Sequence, residues 1–151
     1  MLPPMGWTTF ALSNPKEVGE AKECAPMKWT PDLGRQLGGI NDQVNFDITA
    51  DNRTWGSPWK ILPKTGCCHD YAVSKRHLLL AAGWPASCLL LAEVKIAVHV
   101  EDHLILICRT DKSDIVLDNE TPALMSWPVD GYAMVRMQSK QDPNVWLPPA
   151  P

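Results

Sequence analysis

Six consecutive residues, Gly66-Cys67-Cys68-His69-Asp70-Tyr71, place two thiols, an imidazole and a carboxylate behind a glycine. Such groups can ligate a metal, exchange disulfides or supply an activated nucleophile. A structural zinc site calls for spaced pairs such as Cys-x2-Cys with a second pair downstream. Here the ligands are adjacent, no CxxC lies downstream, and neighbouring residues cannot all aim at one tetrahedral ion. A thioredoxin-like site needs Cys-x-x-Cys, which is absent. A bridge between adjacent cysteines strains the peptide that joins them.

A nucleophile fits better. A thiol attacks as thiolate, and unpaired N–H groups at a helix N-terminus favour that anion. Gly66 is expected to let the chain turn tightly before the helix, with Cys68 in its first turn. Cys67 lies about 100° round a helix from Cys68, or just outside it, so the two thiols cannot share one role. Asp70 is placed to cap the helix or take a neighbouring N–H. Cys24, Cys88 and Cys108 read as buried small hydrophobes.

A thiolate also needs a base and a group to orient it. The four histidines are His69, His77, His99 and His103. His69 points to another helix face than Cys68, and His77 sits near the far end of the helix as an ordinary core or solvated residue. His103 opens the run HLILICRT, and Asp118 closes the next, DIVLDN. If those runs pair antiparallel about a turn centred between 110 and 111, positions 103 and 118 face each other. Cross-strand neighbours on one face have Cβ atoms roughly 5 Å apart, which suits a histidine–carboxylate dyad. His99, before the turn at 101–102, is the competing base.

The elements that must hold these groups follow from the rest of the chain. Its 151 residues suit one domain, 1–151, with an irregular N-terminal arm over 1–30 anchored by Trp7, Phe10 and Trp29. A 45% apolar and 21% charged composition is globular rather than disordered. A net charge of −3 without a basic block offers nucleic acid no footprint. No apolar run nears the roughly 18 residues that cross a bilayer. Five cysteines cannot all pair, and a chain of this size needs no disulfide framework. Oligomeric state is unreadable.

Leu33, Leu37, Ile40 and Val44 predict a helix from Pro31 to about Phe46, started by Thr30-Pro31 and weakened by Gly38-Gly39. Residues 47–66 form a long loop carrying Trp55 and Trp59, and such loops are often functional. A second helix runs from Cys68 to Ala82, ended by Gly83 and Trp84-Pro85. Residues 89–100, 103–110, 114–119 and 131–138 read as strands, and the prolines of the closing DPNVWLPPAP forbid a central one. Helices first and strands after is α+β order.

The segments GCCHDYAVSKRHLLLAAGWP, DHLILICRTDKSDIVLDN, QSKQDPNVW and INDQVN resemble, in order, the bacterial transglutaminase-like cysteine peptidases. That family includes periplasmic proteases that cleave adhesins. The resemblance runs from about Trp29 to Trp146. It implies a papain-like fold, with the nucleophile helix packed on an antiparallel sheet. The family motif around the nucleophile is Gly-Asp-Cys-Glu-Asp-Tyr, which puts the nucleophile at Cys68, and the strand motifs put the base at His103 and the aspartate at Asp118. It thus implies a Cys-His-Asp thiol peptidase acting on a protein or peptide. Amine attack would instead give acyl transfer, and a weakened site a binding or regulatory domain. Cys67 and His69 stand where relatives carry acids implicated in calcium binding. Neither is a hard oxygen donor, so only Asp70 remains as a weak calcium ligand. MLPPMGWTTF lacks the basic-then-apolar order of a signal peptide. The expected location is periplasmic if the chain is a mature form and cytoplasmic if Met1 is the native start.

Overall fold

The computed structural model describes residues 1–151. The first half is helical. Helix α1 spans Met5–Ser13, α2 spans Pro31–Asp47 and α3 spans Cys68–Ala81. Thr30 caps α2 by accepting the Leu33 N–H at 3.0 Å, and Pro31 fills the first helical position, where no donor is needed. Such a cap contributes about 1 kcal/mol, and α2 runs unbroken through Gly38-Gly39.

The second half is a six-stranded antiparallel sheet. Its main strands are β3 (Leu89–Ile96), β4 (His103–Arg109), β5 (Asp114–Leu117) and β7 (Tyr132–Gln138). Two short edge strands, β6 (Met125–Ser126) and β8 (Trp146–Leu147), complete the order β6-β5-β4-β3-β7-β8. The strand β8 lies at an edge, where the surrounding prolines leave no central ladder unpaired. Strand β4 is buried along its whole length because both faces are covered. Leu104, Leu106 and Cys108 join Cys68, Ala72 and Leu79 in the main core, while Ile105 and Ile107 pack with Ala92, Val94 and Val116 on the other face. Period-two alternation on a twice-covered strand explains the unbroken apolar run.

The arm differs from the expectation of irregular chain. Residues 5–13 are helical, and Trp7 and Phe10 are almost fully buried against Trp59 and Trp146. The arm then crosses the buried Arg76, whose guanidinium bonds the carbonyls of Glu17 and Val18 and lies over the Trp7 ring. It finishes along the end of β4, with the Met27 N–H on the Arg109 carbonyl at 3.1 Å. Helix propensity over MGWTTFALS is ordinary, so docked aromatics rather than local preference hold α1.

Three further expectations are corrected. Strand β3 stops at Ile96, and residues 97–102 form the connection to β4, so His99 lies in that connection and not in a strand. The loop 47–66 contains a small parallel pair, β1 (Thr49–Ala50) with β2 (Thr65–Gly66), which ties its ends together. The β4–β5 register pairs Leu106 with Leu117 and Arg109 with Asp114. Its centre is one residue beyond the expected one, because Thr110 closes the turn by bonding the Ser113 carbonyl. Position 103 therefore projects diagonally towards Asp118, not directly opposite it.

No helix is long and apolar enough to cross a membrane. All five cysteines are free.

Candidate active site

Cys68 is the first residue of α3 and Cys67 its N-cap. The Cys67 N–H bonds Asp70 Oδ2 at 3.0 Å, and the Lys60 N–H bonds Asp70 Oδ1 at 2.8 Å. Asp70 thus caps the helix and pins the preceding loop. Gly66 has a different role from the expected one. Its φ is not positive. A Cβ there would lie 2.5 Å from Asp70 Oδ2, so glycine is required for the carboxylate to fold back over the chain. The Cys68 N–H has no backbone acceptor, as expected for the first turn of a helix.

The two thiols shift each other's acidity in opposite directions. The Cys68 thiol, hydrogen-bonded to the Cys67 sulfur, pulls Cys67 down to about 3 against the cost of burial, and His69 adds to the effect. The same hydrogen bond, with burial, pushes Cys68 up, while the Leu104 backbone N–H pulls it the other way. His69 Nδ1 lies 3.6 Å from Cys67 Sγ. The ring of His69 is held between Trp55 and Trp59, with centroids 4.5 and 5.0 Å away. The pair of tryptophans from the long loop thus fixes an imidazole beside the thiols.

The sheet supplies the other wall. His103 Nε2 lies 2.7 Å from Asp118 Oδ1, and both side chains are essentially buried. The diagonal reach compensates for the shifted register. Asp118 Oδ1 also accepts the Glu120 N–H at 3.1 Å, and Oδ2 accepts the Tyr132 hydroxyl. Burial alone would raise Asp118, but the bonds from His103 and Tyr132 outweigh it and hold the carboxyl below its ordinary range. The ring of Tyr132 stands edge-on to His103 at 6.2 Å. Asn45 in α2 bonds the Asp118 carbonyl at 3.1 Å, tying helix and strand. With Nε2 engaged, Nδ1 is the nitrogen of His103 left for another group.

Cys67, Cys68 and His103 line one cavity of about 240 Å³, together with Tyr71, His99 and Glu120. A second cavity of about 330 Å³ lies against Trp55, Trp59, His69 and Glu93. The two share Trp55, Asp102 and His103, so His103 stands where they meet. Cys68 makes no side-chain hydrogen bond to His103, whose Nε2 is on Asp118.

Among the other expected residues, His99 sits 3.4 Å from Glu120 and 6.3 Å, centroid to centroid, from His103. His77 bonds Glu17 of the arm, away from the site. Cys88 and Cys108 are fully buried, whereas Cys24 is only half-buried. Tyr132 and Lys75 were not foreseen as site groups. Tyr132 had no signal, because its approach to Asp118 depends on β7 pairing with β3 across the sheet. Lys75 Nζ is buried without a hydrogen-bond partner. Burial pulls its amine down to about 7, with Asp118 opposing the shift. Its position on the buried face of α3 was legible, but its charge state was not.

The family model of the bacterial transglutaminase-like cysteine proteinases (BTLCP) matches residues 1–148, and the chain belongs to that family. Among solved structures, calcium-bound LapG of Legionella pneumophila superposes with a TM-score of 0.61 at 21% identity, over 73% of this chain and 66% of LapG. The EGTA-treated form gives 0.59 at 21%, over 73% and 64%. A third LapG structure gives 0.58 at 21%, over 73% and 66%. At that identity the likeness is one of fold, and it spans just under two thirds of the LapG chain. A comparison with curated protein sequences finds no match.

The residues at 67, 69 and 70 do not fit calcium. That ion takes six to eight oxygens. Here both oxygens of Asp70 are taken by backbone N–H groups, and Cys67 and His69 offer sulfur and nitrogen to each other.

Proposed function

We propose that this chain is a cysteine peptidase in which Cys68 attacks a backbone carbonyl of a protein or peptide. The observation that carries the reading is the buried His103–Asp118 pair, 2.7 Å apart, opening on the same cavity as Cys68. Asp118 fixes the proton of His103 on Nε2, which leaves Nδ1 as the base for the thiol. His103 then carries the proton to the leaving amine, and the unpaired Cys68 N–H faces the developing oxyanion. The cavities meeting at His103 give an extended segment room on either side of the reacting carbonyl. Water resolves the acyl-enzyme in a peptidase, and an amine would resolve it in an acyl transferase.

The acidity of the thiols favours a second reading, a weakened domain that binds protein without cleaving it. Cys67 pushes the Cys68 thiol up, which works against its ionisation for attack. One experiment separates the two. Iodoacetamide labelling near neutral pH, located by mass spectrometry, is expected to modify Cys68 faster than an ordinary free thiol, and His103→Ala to slow it. Labelling of Cys68 at the free-thiol rate, untouched by His103→Ala, overturns the peptidase reading.

A further inference from the structure

The connection leading into β4 and the end of β5 bring together a second set of donors. The ligand atoms of His103, Asp118 and Glu120 all lie within 4.8 Å of one another. His99 Nε2 lies outside that set but 3.4 Å from Glu120 Oε1, so a shift of its side chain towards His103 and Asp118 would add a second imidazole. Asn119 lies between the two acids, and its Oδ1 is buried without a hydrogen-bond partner. All but Asp118 line the open cavity of about 240 Å³. None of these donors belongs to the segment 67–70.

We propose that His99, His103, Asp118 and Glu120 form a site for a divalent transition metal of the zinc type, and that its occupation switches His103 off. Two imidazole nitrogens with two carboxylates suit zinc and its first-row neighbours, whereas calcium prefers oxygen alone. Zinc bonds of about 2.0–2.1 Å put tetrahedral ligand atoms roughly 3.4 Å apart. The His99–Glu120 spacing already has that value, and the 2.7 Å His103–Asp118 hydrogen bond needs to open by about 0.7 Å. Tyr132 and the Glu120 N–H already orient the Asp118 carboxylate, as hydrogen bonds to ligating carboxylates commonly do.

The chemical consequence is a change of tautomer. Without metal, Nε2 carries the proton that Asp118 accepts, and Nδ1 has a free lone pair. A metal on Nε2 replaces that proton, which passes to Nδ1, so none is released to solvent. Nδ1 then donates and no longer accepts. His103 cannot take the thiol proton while the metal stays bound. The site itself stands on geometry alone; only the inhibition rests on the proposed peptidase reading.

Cobalt(II) is the probe, because its spectrum reports its ligands. The Cys67→Ser/Cys68→Ser chain is expected to bind cobalt with the visible bands of nitrogen and oxygen ligation. His99→Gln and Glu120→Gln should each weaken that binding by about tenfold or more. Zinc should displace the cobalt. If the double variant does not fold, the wild-type chain gives the same reading, since thiolate ligation adds a near-ultraviolet charge-transfer band. Binding that shows this band and disappears with the cysteines overturns the proposal. So does a folded double variant that binds no cobalt, or binding indifferent to both His99→Gln and Glu120→Gln. In the active chain, zinc should stop peptide turnover reversibly to chelator. A chain that binds cobalt as described but never turns over sinks the peptidase reading and leaves the site standing.

Discussion

On the sheet wall of the cleft, His103, Asp118 and Tyr132 come from or just beyond three different strands and are bonded to one another. On the helix wall, Cys67, Cys68, His69 and Asp70 are consecutive, and a single helix start dictates where each can point. The sheet wall holds one buried carboxylate with its acceptors filled. The helix wall sets two thiols and an imidazole beside a single capping carboxylate. Long-range pairing therefore holds the His103 imidazole rigidly, while the groups beside Cys68 shift the acidity of its thiol. Changes on the sheet wall should cost turnover, and changes at Cys67 should retune the nucleophile.

The largest expected effect tests whether the helix wall holds one nucleophile or two. Cys68→Ala should lower peptide hydrolysis on the order of 10⁶-fold, as loss of a nucleophile does. Comparable activity in that variant, with Cys67→Ala the dead one, would exchange the roles of the two thiols. On the sheet wall, Asp118→Asn should cost on the order of 10⁴-fold in kcat, because His103 is left in the wrong tautomer. Steady-state kinetics on folded protein, with folding checked by circular dichroism, measures both.

Tyr132→Phe should cost roughly 10- to 100-fold in kcat, the worth of one hydrogen bond to a buried charge. The Tyr132 bond holds Asp118 down, so its loss raises that carboxyl. The acid limb of the pH–rate profile should then move to higher pH. An unmoved limb would mean that Tyr132 only packs.

A smaller change is expected at Cys67. Cys67 pushes the Cys68 thiol up, so Cys67→Ser should bring it down and speed its alkylation at pH 7 about several-fold. Slower alkylation would show Cys67 assisting the nucleophile instead.

The smallest effect concerns the lysine beneath both walls. Lys75 is depressed to about 7 in the folded chain from an ordinary value of 10.5. Between those values the unfolded chain binds the extra proton, so this group makes stability rise with pH through that window. Lys75→Met should stabilise the protein at pH 7 by about 1–3 kcal/mol and flatten the rise above pH 7. Thermal melts of the two proteins from pH 6 to about 10 check it. A less stable variant at pH 7 would mean that Lys75 is held there by its attraction to Asp118.

The two walls were also unequally legible in the sequence. The helix wall is local. Thr30-Pro31 marks the start of α2, Gly66 to Asp70 marks the start of α3, and apolar spacing marks the buried faces of both. The strands β4 and β5 and their turn followed from β-rich runs and breakers. Their register did not, since a shift of one residue depends on how Thr110 closes the turn. The helix α1 was missed because docked tryptophans, not local preference, stabilise it.

By itself the sequence determined the order of elements, the cysteine at the head of a helix, and a histidine and an aspartate on neighbouring strands. Periodicity and capping are local, so a chain of residues carries them without knowing its fold. Only the tertiary structure decided how these groups are charged and joined. It brought Tyr132 across the sheet to Asp118, folded Asp70 over Gly66, and clasped His69 between two tryptophans. Burial and partners from distant segments fix all of these, and neither can be read from neighbours in sequence.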